Sequence, residues 1–145
     1  MSPKIDRTDP ARILFIVFLL FMATAFESSA QQTMVRVNAP ERISKDFDFT
    51  IDVDNALDLD SGQFDLEFDP GAIQVLDVKD GSLADQPVPI RLWTILKPGR
   101  IRVIFNFPGV RSVSGTGHLA KINARAIGKS GEITGLDIQR GLLVD

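Results

Sequence analysis

The 145-residue chain has no cysteine and no tyrosine, one histidine and one tryptophan. Each shortage removes a class of function. Without thiols there is no disulfide framework, no thiolate metal site and no cysteine nucleophile. His118, beside Gly117 at the start of an expected strand, is the only imidazole. No motif sets a serine on a sharp strand-to-helix elbow for it to activate, so His118 reads as a surface residue at a strand edge. A row of coplanar rings on which sugars stack needs more aromatics than Trp93 alone. The six phenylalanines after residue 30 fall at inward strand positions. A net charge of −3 lacks the clustered lysine and arginine that phosphate backbones require.

Long apolar runs are scarce as well. The one present, Ile13 to Phe26, has 14 residues, where a spanning helix needs about 20. Lys4, Arg7 and Arg12 precede it, and Ser28-Ser29-Ala30 follows with small residues at an exit site. Basic head, apolar middle and small-residue exit make residues 1–30 a secretory signal peptide. Cleavage after Ala30 leaves a domain of residues 31–145; Ala23-Thr24-Ala25 is a second possible exit, and an uncleaved membrane anchor is the alternative. The expected localisation is therefore secreted, outside the cell. With no disulfide available, such a domain rests on its core.

What fills the rest of the chain is period-two alternation. Phe47, Phe49, Ile51 and Val53 alternate with acidic residues and Thr50; Phe64, Leu66 and Phe68 with Gln63, Asp65, Glu67 and Asp69; Ile101, Val103, Phe105 and Phe107 with Arg102, Ile104 and Asn106. Each such strand buries one face and wets the other. Further strands are expected at 34–38, 73–79, 90–96, 118–127, 133–139 and 142–145. The 73–79 run changes phase, which predicts a bulge or a two-sided environment. Turn signals stand at Asp54-Asn55, Asp69-Pro70-Gly71, Asp80-Gly81, Lys97-Pro98-Gly99, Pro108-Gly109, Ser114 to Gly117 and Ser130-Gly131. About nine short strands with frequent turns and no helical stripe predict an all-β fold, a sandwich of two antiparallel sheets.

The acidic residues invite a metal reading. Asp52, Asp54, Asp58 and Asp60 are crowded, and calcium prefers such oxygens. Counted from Asp58, however, the glycine falls at the fifth position and Asp69 stands at the twelfth, so the calcium-loop order fails. Asp46, Asp48, Asp52 and Asp54 read instead as the wet face of one strand, and no metal or cofactor is expected. Carboxylate pairs spread over many strands single out no glycosidase dyad.

Five segments in order resemble the cohesin domain family. These are Phe47 to Val53; Gly62 to Pro70, ending in an aromatic residue and Asp-Pro; Ile73 to Val78 with Gly81-Ser82-Leu83; Gly99 to Val103 leading to Phe105; and Val113 to Ile122, similar to Gly-x-Gly-x-Leu-Ala-x-Ile. The resemblance implies a nine-stranded antiparallel sandwich of jelly-roll type, no catalysis, and a dockerin-type partner that carries its own calcium, in a setting of polysaccharide breakdown or cell-surface assembly. Family 2 and family 3 carbohydrate-binding modules are similar in fold, so direct polysaccharide recognition is the alternative.

The family's docking face is built from its third, fifth, sixth and eighth strands. Carried over, it implies Ser61, Gln63, Asp65 and Glu67, then Arg102, Ile104 and Asn106, with Arg111 and Ser114 from the loop Pro108 to Gly117. The loop has Arg111 and no acidic residue, a departure from the best-known cellulosomal members. Ile104 stands out independently, because an apolar residue between Arg102 and Asn106 suits the centre of a polar-rimmed interface.

Overall fold

In a computed structural model, residues 31–43, 45–109 and 112–145 are described. The segment 1–30, expected to be a signal peptide, and Arg111 lie outside them. Nine strands run in order: β1 (Met34–Asn38), β2 (Asp46–Leu59), β3 (Ser61–Phe68), β4 (Ile73–Leu83), β5 (Gln86–Val88), β6 (Ile90–Lys97), β7 (Arg100–Asn106), β8 (Val113–Ala126) and β9 (Leu136–Val144). They form a five-stranded sheet, β1-β2-β8-β4-β5, and a four-stranded sheet, β6-β7-β3-β9. Every neighbouring pair is antiparallel. The fold is the expected sandwich of jelly-roll type.

The alternation places the core. Phe49, Ile51 and Val53 of β2, Ile73, Val78 and Leu83 of β4, and Leu119 and Ile122 of β8 line one sheet. Phe64, Leu66, Ile101, Val103 and Phe105 line the other. All are nearly or fully buried, and burial of such side chains stabilises by about 1.5–3 kcal/mol each before entropy is charged. Trp93 and Phe68 pack against the rim of this core. The phase change in β4 is a bulge, a register shift between Val75 and Asp77.

Three turn signals prove to be strand interior. Asp54-Asn55 lies inside β2, where Asn55 and Asp58 adopt positive φ (55° and 48°) at two register shifts. Short polar side chains tolerate that region, so they mark bulges here and not the strand's end. Asp80-Gly81 lies inside β4, and Ser114 to Gly117 inside β8. Gly81 and Gly117 are there because β4 and β8 approach closely: a Cβ on Gly81 would strike the His118 carbonyl, and one on Gly117 the Ser82 carbonyl. His118 accordingly sits mid-sheet, between Asp52 and Ser82, and not at an edge.

The true β4–β5 turn is Ala84-Asp85, both at positive φ (47° and 62°). That is type I′ geometry, carried by an alanine that gives no turn signal. The expected strands 133–139 and 142–145 are one strand, β9, bulged where Arg140 takes a φ of 51°. Pro98-Gly99 does form its tight turn, with Gly99 at φ 78° as a type II turn requires.

Candidate functional site

Cross-strand partners in an antiparallel sheet point to the same side, so register converts the outer face of the four-stranded sheet into rows. One row reads Leu92 (β6), Ile104 (β7), Gln63 (β3) and Leu142 (β9). The next reads Thr94, Arg102, Asp65 and Gln139, and the third Lys97, Arg100, Glu67 and Asp137. Asn106, Ser61 and Val144 extend the face beyond the first row. The first row is aliphatic on three strands, with Leu92 54% and Leu142 56% exposed. Val144 adds a further exposed apolar residue beside it.

At the centre lies Asp65, the only charged side chain buried among the described residues, at 1% exposure. Arg102 donates to both its oxygens, Nε to Oδ1 at 2.7 Å and Nη2 to Oδ2 at 3.0 Å. These hydrogen bonds hold the Asp65 carboxyl below the usual carboxylate range, against an opposing push from desolvation. The guanidinium covers the carboxylate while remaining partly open to solvent itself. In the third row Arg100 pairs with Glu67.

The outer face of the other sheet is built differently. β2 supplies Asp46, Asp48, Asp52 and Asp54, and its neighbours supply the bases. Arg125 grips Asp46 at 2.6 and 3.1 Å, Lys121 and Asn123 hold Asp48 at 2.9 and 2.8 Å, and Arg36 pairs with Asp54 at 2.5 Å. The acidic run is a ladder of exposed ion pairs. Hydrogen bonding from Arg125, and from Asn123 and Lys121, lowers the pKa of Asp46 and Asp48 respectively.

Of the residues singled out by sequence, Ser61, Gln63, Asp65, Glu67, Arg102, Ile104 and Asn106 share the four-stranded face. Ser114 does not: it belongs to β8 in the other sheet, where its hydroxyl accepts from the Asp58 amide at 2.8 Å and so closes the β2 bulge. Leu92, Leu142, Val144, Gln139 and Asp137 escape sequence reasoning. In β6 apolar residues occupy both phases, and in β9 the bulge at Arg140 breaks the alternation that would have assigned them. The outer rows carry no aromatic ring; Trp93 pairs with Val103 and packs inward.

Residues 37–145 match the family model described as Cohesin domain. No curated protein matches the chain in sequence. Among solved structures, the sixth cohesin of scaffoldin B from Acetivibrio cellulolyticus, solved in complex with a dockerin, superposes with a TM-score of 0.65 at 12% identity, covering 79% of this chain and 87% of that one. A cohesin module from a family 33 glycoside hydrolase of Clostridium perfringens gives 0.62 at 15%, covering 77% and 81%. A non-cellulosomal cohesin from the archaeon Archaeoglobus fulgidus gives 0.54 at 21%, covering 74% and 77%.

Proposed function

The chain belongs to the cohesin family, and from that membership we propose that the outer face of β6-β7-β3-β9 docks a dockerin-type partner. The observation that carries the reading is the row Leu92, Ile104, Leu142. It places aliphatic side chains on a wet face at no benefit to the core, with charged rows beside it. An apolar centre with a polar rim is how specific interfaces are composed. Asp65 and Arg102 flank the row as a pre-organised polar pair. The solved complex of the Acetivibrio cohesin with a dockerin supports the kind of partner. Calcium would belong to the partner's fold.

Calorimetry with a dockerin encoded in the same genome tests this, in calcium and again after chelation. Binding is expected only with calcium present. Ile104→Asp should weaken it by about 100-fold or more, since a charge without a counter-ion would be driven into the apolar centre. Asp48→Ala, on the opposite face, should leave affinity unchanged. If the Asp48 variant loses binding and the Ile104 variant keeps it, the face is misassigned. Retardation by a soluble glucan with no dockerin binding would replace this reading with the carbohydrate one.

The reading extends to place. We infer export, with residues 1–30 removed, and action outside the cell in polysaccharide breakdown or surface assembly. Mass spectrometry of exported material should find an N-terminus at Gln31 or near Phe26. Material that still carries residues 1–12 would mean an anchored protein.

A further inference from the structure

We propose that the same four-stranded face also pairs with a second copy of this chain, as a weak two-fold dimer whose axis runs parallel to the strands between β7 and β3. The pattern of the face carries the inference. Along the third row, charge reads Lys97, Arg100, Glu67, Asp137 from β6 to β9, basic on one half and acidic on the other. A two-fold axis along the strands reverses that order in the facing copy. Lys97 then meets Asp137 of the other copy, and Arg100 meets Glu67.

The two outer charges have no opposite charge to compete at home: among the described residues neither Lys97 nor Asp137 enters an ion pair, Asp137 accepts only a neutral hydrogen bond from Gln139 Nε2 at 2.5 Å, and both are exposed. The first row is symmetric where the third is antisymmetric. Leu92 and Leu142 sit on opposite edges with nearly equal exposure, 54% and 56%, so the same rotation lays leucine on leucine. Arg140, in the β9 bulge between these rows, falls opposite the interval of β6 that presents Leu92 and Thr94, which are uncharged. An axis across the strands instead would set the aliphatic row on the charged row, burying charge against leucine. Isologous contacts require this kind of self-complementary patch.

Size limits the strength. Four strands about 4.8 Å apart and seven residues long present about 450 Å2 per copy, against the roughly 800 Å2 per partner of a standard interface. The dimer is therefore a concentration-dependent one, with a dissociation constant of about 10 µM to 1 mM. It occupies the face proposed for the dockerin, so the two associations exclude each other.

Sedimentation of residues 32–145, which contain every strand and the whole described core, tests the proposal without any dockerin and so stands or falls apart from that reading. A monomer–dimer equilibrium is expected as concentration rises to about 1 mM. Lys97→Asp and Asp137→Lys, each alone, should weaken it at least about tenfold through like-charge contact. Mixing the two variants should restore association as a heterodimer, and so should the double variant with itself. A chain that stays monomeric throughout, or a dimer indifferent to both charge reversals, overturns the proposal. Circular dichroism should show all variants folded, because both positions are exposed.

Discussion

The two outer faces of the sandwich each contain an arginine gripping an aspartate with two hydrogen bonds, and the pairs differ in what surrounds them. On the five-stranded sheet, Arg125 and Asp46 meet at 2.6 and 3.1 Å with the aspartate side chain 51% exposed. On the four-stranded sheet, Arg102 and Asp65 meet at 2.7 and 3.0 Å with the aspartate 1% exposed. The geometry is nearly the same, and the energetic consequence is not. An exposed carboxylate gains little from its partner; one shielded from water by the arginine that grips it gains more, because its charge-assisted bonds are less screened. The first face is a solvated ladder of charges. The second holds one covered charge between a row of exposed aliphatic side chains and a row of charged ones.

The contrast depends first on register, and the largest expected effect tests that. Phe64→Ala should cost about 3–5 kcal/mol in denaturant unfolding, because Phe64 fills the core directly beneath the face that Asp65 occupies. Glu67→Ala, three residues on and outward, should cost no more than about 1 kcal/mol. Equal small losses would mean that inside and outside are exchanged along β3.

The second test separates the twin ion pairs. Arg102→Ala removes two charge-assisted hydrogen bonds from the shielded Asp65 and should lower stability by about 1–3 kcal/mol. Arg125→Ala should leave the denaturant midpoint where it was. Equal losses from both would erase the distinction between the faces.

The third and smallest effect is a pH dependence. The folded Asp65 pKa lies below its unfolded value of about 3.9. Its contribution is thus complete above that pH and disappears as pH falls through the folded value. Asp65→Asn should trail the native protein by a constant margin near neutrality, and the margin should close below about pH 4. Asp46 and Asp48 titrate alike in both proteins, so the difference isolates Asp65. A margin unchanged at pH 3 would show that the deficit of the asparagine variant is steric and not ionic.

Much of this was legible in the residue order. The inward phases of β2, β3 and β7 follow from strict alternation, and Pro98-Gly99 announces its own turn. The outward set on β3 and β7 follows from the same phases, which is why seven of the nine site residues read from sequence share one face. Where both phases are apolar, as in β6, or where a bulge resets the phase, as at Arg140 in β9, alternation stops assigning sides. Leu92, Leu142 and Asp137 were invisible for that reason. Glycine misled in a consistent way: Gly81 and Gly117 look like turn residues, yet they allow two central strands to touch.

The sequence by itself determined that the described chain is a set of amphipathic strands, which side of most of them is dry, and which family they form. Those properties are local, since they depend on neighbours two residues apart. Tertiary structure alone decided that Asp65 is covered, that Ser114 closes a bulge in the other sheet, and that three aliphatic side chains line up across β6, β7 and β9. The partners concerned lie far apart in the chain, 37 residues for Asp65 and Arg102 and 79 for Asp46 and Arg125. Alternation fixes the direction of a side chain and carries no information about which strand will lie beside it; that is settled when the two sheets close over one core.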